Sequence, residues 1–536
     1  MGLYNDASLI AYPSGYKESK IYPQKPIDGS GDLTFARASS ATRVNEQGLI
    51  ENSEIIGNEE ITNGDFATNL NSWSTSSWWV WNALGAYHPS SSAHYPLYQQ
   101  CAVIGKQYTI TFDLTIISGE AKFSFGSNTG STTQVIADNL TTGSYSYLVT
   151  ASAEYIIFNR SVGAAAEFYV DNVSVKEYAD TNIPRIDYTN GCGQLLLEPQ
   201  RTNLITESED FSTWNKANTT VATNSVISPD GTINASKITD DTTSGNHYIR
   251  ETNIFTVDGL TRYWTMYVKQ GSARYCAFTL GSSFGNSIHI ACFDMQSGVY
   301  TLEPIGKEDG YLTPIDMGNG WWRIGFYSNE NDISYDNFTI GFSSDGTFSG
   351  CNYVGVGDYF YCWGAMLEEG SYPTSYIPTS GTTVTRIEDV SSTTGLSSVI
   401  GQTEGTFVLD FLYEEKKQDY GSVHLREDAS NYFQLYISPT EVLSFFWVIS
   451  GVTEALSSML SLVDNTRYKF AIAYKANDLK VYINGVSVYT NTSITIANFS
   501  TLVLRESSNS WGQPINQTQL YKTRLTNTEL ATLTTL

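Results

Sequence analysis

Positive charge is scarce in this 536-residue chain: 30 Lys+Arg stand against 55 Asp+Glu, a formal charge of −25, and only 16% of residues are charged at all. A surface of that sign repels phosphate backbones and anionic bilayers, which excludes nucleic acid as a partner. Long apolar runs are missing too. None approaches the roughly 18 residues of a membrane span, so membrane insertion is excluded with them. The opening Met1-Gly2-Leu3-Tyr4-Asn5-Asp6 has neither the basic region nor the apolar stretch of a secretory leader, and the expected product is soluble and made in a cytoplasm. Six cysteines (Cys101, Cys192, Cys276, Cys292, Cys351, Cys362) are scattered without a CxxC pair. That argues against a zinc ribbon or a disulfide scaffold and predicts free, mostly buried thiols. The five histidines (His88, His94, His247, His289, His424) lack HExxH or other ligand spacing, so a catalytic transition metal is not expected.

Aromatic residues are plentiful: Tyr 36, Phe 24 and Trp 11 make 13% of the chain, set among Ser, Thr, Asn and 43 Gly. Aromatic and β-branched side chains suit a pleated, half-buried surface, so the composition is that of an all-β protein with polar loops. The length suggests several domains, each able to bury a core. Residues 1–60 form an irregular arm with no visible core of its own, and its apolar Leu3, Ile10, Ile21 and Phe35 are expected to dock on another chain or on the first sandwich. From Ile61 to Tyr178 short alternating runs such as Tyr108 to Leu114 and Phe168 to Val175 alternate with Gly/Ser/Asn turns, the pattern of a β-sandwich. A second sandwich, 205–378, opens like the first: Ile61, Asp65-Phe66 and Trp73 are echoed by Ile205, Asp210-Phe211 and Trp214. Residues 179–204 between them are too apolar for a flexible tether and read as a packed linker. A Ser/Thr/Gly stretch at 379–402 marks the last boundary, before a C-terminal domain at 403–536.

That domain carries the clearest local signal. Leu479 to Ile483, then Asn484-Gly485, then Val486 to Tyr489 predicts a hairpin with a type I′ turn, setting Ile483 opposite Val486 and Val481 opposite Val488 on one apolar face. Thr526 with Glu529 predicts a capping box opening a short helix through Leu530 and Leu533. One further short helix is a candidate near Thr453 to Leu462.

Three blocks now resemble a family of tailed-bacteriophage structural proteins, tail and head fibres among them. They are Phe35-Ala36-Arg37-Ala38-Ser39-Ser40-Ala41-Thr42-Arg43, the linker's Pro184 to Tyr188 with Leu197-Glu198-Pro199-Gln200-Arg201-Thr202-Asn203-Leu204, and Trp363 to Gly370 with Tyr372-Pro373-Thr374-Ser375-Tyr376-Ile377-Pro378. In that family 205–378 is similar to a carbohydrate-binding-module jelly roll, and 61–178 is an inserted sandwich similar to such modules. Residues 403–536 resemble a concanavalin A-like (laminin G-like) domain through Val481 to Gly485 and Leu520 to Leu525. The resemblance implies an all-β chain of tandem jelly rolls followed by a concanavalin A-like sandwich, located in the virion as a fibre or spike. It further implies a homo-oligomer, a trimer, contacting other virion proteins and a bacterial surface polysaccharide, with no enzymatic activity. Lectin-like folds host both binding and hydrolysis, so a glycan depolymerase and a purely structural decoration protein stand as alternatives. Arg37, Arg43, Arg185, Arg201 and Arg386 recur within the span that these blocks frame, residues 33–390. They are expected to bridge arm, linker and sandwich to carboxylates such as Asp187 and Glu198, because a guanidinium pairs bidentately with a carboxylate.

Candidate chemistry is thin. Gly281-Ser282-Ser283-Phe284-Gly285 matches the nucleophile elbow, with His289 and Asp294 near in sequence, but the elbow needs a helix after the serine, and Ser287 to Phe293 alternates like a strand. Asp410 and Glu414 share a strand face, yet four residues at ~3.3 Å each put them ~13 Å apart, too far for a glycosidase pair. Trp73, Trp78, Trp79, Trp81 and Tyr87 crowd together, and on a strand Trp79 and Trp81 would point one way and Trp78 the other. One face would pack inward and the other offer flat rings on which sugars stack; core packing is the alternative. Trp447 and Trp511 are further candidates for carbohydrate contact. In the jelly rolls that the first sandwich resembles, an opening-strand and a closing-strand acid hold a structural calcium, which implies Asp65 and Asp171 as its ligands.

Overall fold

The computed structural model describes residues 2–75, 78–161, 165–252, 254, 260–281, 287–302, 312–328, 337–370, 372–414, 421–506 and 511–536. The fold is nearly all strand, and its α-helices among the described residues are the short Gly2–Asp6 and Asn527–Thr534. No helix there is long and apolar enough to cross a membrane. The chain folds as two compact units, Glu54–Asp180 on the one hand and Met1–Ser53 with Thr181–Leu536 on the other.

The unit Glu54–Asp180 is a sandwich of a six-stranded and a five-stranded sheet. The first runs Gly143–Thr150, Gln107–Ser118, Ala166–Ala179, Gly85–Ser91, Val80–Asn82, with Ile55–Glu59, counted in the arm above, also paired to Ala166–Ala179. The second runs Thr132–Leu140, Ala121–Gly126, Tyr155–Arg160, Leu97–Gln100, Ser74–Thr75. Strict alternation in Gln107–Ser118 sends Tyr108, Ile110, Phe112 and Leu114 inward and leaves Thr109, Thr111 and Asp113 on the outer face. Phe112, Phe123 and Phe158 meet edge and face at 4.9 to 5.2 Å in the middle of the core.

In the larger unit the second sandwich packs two six-stranded sheets on Trp264, Met266, Phe278, Phe326 and Phe360. The opening echo has a structural meaning: Phe66 lies 5.3 Å from Trp73 in one sandwich and Phe211 lies 4.9 Å from Trp214 in the other, each pair closing a core end. Gly364, at φ 63°, is a bulge in the closing strand Tyr359–Glu369. It reverses the pleat so that Trp363 stands on the outer face while Ala365 faces the core. On that outer face Tyr267, Trp321 and Trp363 are covered by Val44 and Ile50 of the hairpin Thr42–Val44/Ile50–Asn52 and by Tyr376.

The C-terminal sandwich has an eight-stranded and a six-stranded sheet, and the eight-stranded one is not made from the C-terminal segment alone. Leu9–Ala11 of the arm pairs with Ile515–Tyr521, as does Gln194–Leu196, which carries Arg185–Asp187 beside it. Ile21 and Phe35 sit in the core of this sandwich, Ile10 lies in a satellite cluster with Tyr521 and Leu530, and Leu3 packs against that cluster. The arm therefore docks on the C-terminal domain of its own chain, which corrects the expectation that it needs another chain or the first sandwich. The helix sought near Thr453 is the edge strand Val452–Ser461, because its neighbour Val442–Ile449 offers it a ladder and tertiary pairing overrides local propensity. The hairpin forms with Asn484 at φ 47° and Gly485 at φ 84°, and Ile483 faces Val486. A bulge then slips the register, so Val481 meets Tyr489 instead of Val488, and Val486 is 63% exposed. The helix Asn527–Thr534 opens on the capping box of Thr526 and Glu529.

An ionic cluster fastens arm, linker and both sandwiches of this unit. Arg37 pairs with Asp389 at 3.0 Å, Arg185 with the same Asp389 and with Glu198 at 2.7 Å, and Arg386 with Glu198 at 2.9 Å. All five side chains are buried. The guanidiniums outweigh the cost of burial for both carboxylates, whose pKa values are held below the usual range. Arg201 reaches Glu368 at 3.6 Å and Arg43 pairs with Glu51. Asp187, expected as a guanidinium partner, instead accepts the Val44 and Thr189 backbone N–H groups at 2.8 and 2.9 Å.

Candidate binding surface

The tryptophan-rich segment crosses from one sheet of the first sandwich to the other. Ser74–Thr75 is the edge strand of the five-stranded sheet and Val80–Asn82 the edge strand of the six-stranded one. Because the strand begins only at Val80, no pleat orders the residues before it, and the expected alternation fails. Trp79 turns inward, 5% exposed, with its indole N–H donating to the Tyr95 carbonyl at 2.7 Å and Phe168 edge-on at 5.6 Å. Trp73 is core as well. Trp78 and Trp81 stay at the surface, 47% and 39% exposed, beside Val80 and Leu84, which are exposed too. Neither ring is loose. Trp78 stacks on Tyr95 at 5.0 Å and 19°, and Trp81 donates its indole N–H to the Phe66 carbonyl. These are rings held in one orientation with part of each exposed, the arrangement that lets a flat apolar face of a ligand stack with little entropy lost.

On the outer face of the six-stranded sheet Tyr87 stacks on its cross-strand partner Tyr169 at 4.8 Å, and its hydroxyl donates to Glu167 at 2.5 Å. That bond to a carboxylate pushes the Tyr87 hydroxyl up to about 12. Tyr169 was legible only through its parity with Glu167 and Asp171 in the closing strand. Asp171 is the cross-strand neighbour of Asp113. Partial burial and the negative charges of Asp113 and Asp65 raise its pKa. Among the described residues no group of three His, Cys, Asp or Glu side chains is disposed to hold a metal ion. Gly85 lets the neighbouring backbone approach: at φ 113°, a Cβ there would lie 2.5 Å from the Val170 carbonyl oxygen.

The other candidates are interior. Trp447 is fully buried, bonded to the Thr495 carbonyl at 3.0 Å and packed on Phe499 and Tyr474. Trp511 is likewise buried, bonded to the Gln513 carbonyl and edge-on to Phe411. With Trp79, these rings offer no face to a sugar, and their assignment to carbohydrate contact is corrected: each completes a sandwich core. Asp410 is 2% exposed and clamped by Arg467 at 2.7 and 2.6 Å, which leaves it no room as an acid or base. Ser282 and Ser283 lie outside the described residues. The strands on either side, Tyr275–Gly281 and Ser287–Asp294, pair as a hairpin where an elbow would need a helix. Asp294 is held by Arg274 in a two-point pair. The six cysteines are thiols, Cys192 exposed and the others buried.

No family model matches the chain, and no curated protein does. Among solved structures it is similar to the carbohydrate-binding module CBM40 of the Ruminococcus gnavus IT-sialidase, at 15% identity over 26% of this chain and 86% of that one, TM-score 0.23. It is similar to the CBM22-1–CBM22-2 tandem of Paenibacillus barcinonensis Xyn10C, at 10% identity over 58% and 98%, TM-score 0.27. Domains LG4-5 of the mouse laminin α1 chain match at 10% identity over 52% and 85%, TM-score 0.17. Likenesses this distant do not bear on what the chain binds. The strand order itself defines the class: an all-β protein of successive β-sandwiches.

Proposed function

We propose that the protein is a bacteriophage fibre or spike component that attaches to the particle and recognises a bacterial surface glycan without cleaving it. The observation that carries the binding part is the fixed, half-exposed pair Trp78 and Trp81 at a sandwich edge. The virion part rests on the three sequence blocks. Arg37, Arg185 and Glu198 of those blocks meet Arg386 and Asp389 in the buried cluster. The trimer rests on the resemblance alone, since the arm's apolar residues are already covered within the chain. A calcium at Asp65 and Asp171 belongs to the same proposal; backbone oxygens or water would complete its shell.

A charge of −25 disfavours strongly anionic polymers at low salt, so the glycan feature is neutral or basic and is held by ring stacking. One such site is weak, and many copies on a particle multiply it. Protein displayed on beads should bind bacterial cells and release no reducing sugar from their purified polysaccharide. Steady release of oligosaccharide would replace this reading with a depolymerase, and absence of binding even on beads would replace it with a structural decoration protein.

A further inference from the structure

A second place in the chain is built to hold a small molecule. Where the arm hairpin, the linker and the C-terminal sandwich close over the outer face of the second sandwich, they leave a cavity of about 420 Å³. That lies within the ~300–1,000 Å³ usual for small-ligand sites. Its floor is the cross-strand pair Tyr267 and Arg323 on neighbouring strands Arg262–Gln270 and Trp321–Ser328. Tyr267 is 2% exposed, with Asp187 and Arg323 within electrostatic reach of its hydroxyl. Arg323 donates from Nη2 to the Thr374 carbonyl at 2.6 Å and to Thr265 Oγ1 at 3.3 Å. Its Nε is buried without a partner, and no carboxylate pairs with it among the described residues. Arg323 thus brings a cation without a carboxylate partner among the described residues to the lining of the cavity.

Above this floor the walls carry mostly acceptors, with Arg43 as a further cation. Asp187 is buried at one side next to Glu198, which Arg185 and Arg386 already hold, and Asn190, Asp316, Asp464 and Asn465 are exposed at the mouth. Carboxylates outnumber guanidiniums in the lining, so a strongly anionic ligand is repelled. A cationic one would have to sit against Arg323. A neutral polyhydroxyl molecule meets both sides, because each hydroxyl accepts from Arg323 or Tyr267 and donates to a carboxylate. Tyr267, Tyr376, Val44 and Ile50 supply apolar surface to the lining.

We propose that this cavity is a binding site for a neutral sugar residue, separate from the tryptophan edge of the first sandwich. It rests on the glycan-recognition reading and deepens it, assigning the larger unit its own sugar pocket.

The test is titration of the full chain with free glucose, galactose, mannose and N-acetylglucosamine, and with glucuronate as the anionic probe, followed by calorimetry or saturation-transfer NMR. Saturable binding of at least one neutral sugar is expected, weakened roughly tenfold in Tyr267→Phe and in Arg323→Lys. Tyr267→Phe keeps the ring, so its thermal midpoint should match the parent, separating lost binding from lost folding. Affinity unchanged from the parent in both variants, no binding of any free neutral sugar, or binding of glucuronate alone overturns the cavity site. Polysaccharide binding by the unaltered chain is measured in the same series. If it persists, the glycan reading stands without the cavity; if it is absent as well, both fail.

Discussion

Replacing Asp389 by Asn should destabilise the larger unit more than any surface change. Asp389 is fully buried and accepts from both Arg37 and Arg185, while its backbone N–H donates to the Glu198 carbonyl and its carboxylate accepts from the Glu198 N–H. The amide keeps the volume and removes the charge. Arg37 then loses its carboxylate partner, and Arg185 keeps only Glu198, which it shares with Arg386. Breaking a buried pair by removing one partner costs ~3–5 kcal/mol, because the surviving charge is left uncompensated. At roughly 2–4 °C per kcal/mol for large domains, the unfolding midpoint should fall by about 10 °C. The pH dependence has a definite sign. Asp389 and Glu198 have pKa values below the unfolded range, so their contribution is complete at neutral pH and fades as pH drops from about 4 through their depressed folded values. Calorimetry at neutral pH and in acid should therefore show a large gap between parent and Asp389→Asn that narrows on acidification. A midpoint within a degree of the parent at neutral pH would refute the idea that this cluster holds arm, linker and sandwiches together.

Trp447→Ala should lower stability by ~3–5 kcal/mol, read by denaturant unfolding, without changing glycan binding once folded protein is compared, since its ring is core. A thiol reagent should label Cys192 alone in the native protein and the other five cysteines only after unfolding; mass spectrometry of the labelled protein counts them. Thr526→Ala should cost about 1 kcal/mol through loss of the capping box, visible as a small shift of the denaturant midpoint.

Local signals were the most legible part of the sequence. Asn484-Gly485 and Thr526 with Glu529 act through backbone geometry within a few residues, and both appear where the pattern puts them. Period-two alternation also identified Gln107–Ser118 and the closing strand of the first sandwich. What stayed hidden depends on distant partners. Leu9–Ala11 reads as arm because nothing near it in sequence pairs with it; its partner is Ile515–Tyr521 at the other end of the chain. Val452–Ser461 looked helical for want of a visible neighbour. In the tryptophan cluster the parity argument needed to know that the strand starts at Val80, and without that it joined Trp81 to the buried Trp79. The arginines were legible as buried cations from their scarcity, whereas Asp389, which two of them share, lies outside the motifs that drew attention.

The central claim is that the exposed rings of the first sandwich hold a glycan. Binding of multivalent full-length protein to a panel of purified bacterial surface polysaccharides, compared with Trp78→Ala/Trp81→Ala at matched thermal stability, tests it most directly. The account predicts salt-insensitive binding that falls at least about tenfold in the double variant, as expected from losing one to two stacked aromatic contacts. Binding of equal strength in parent and double variant would contradict it.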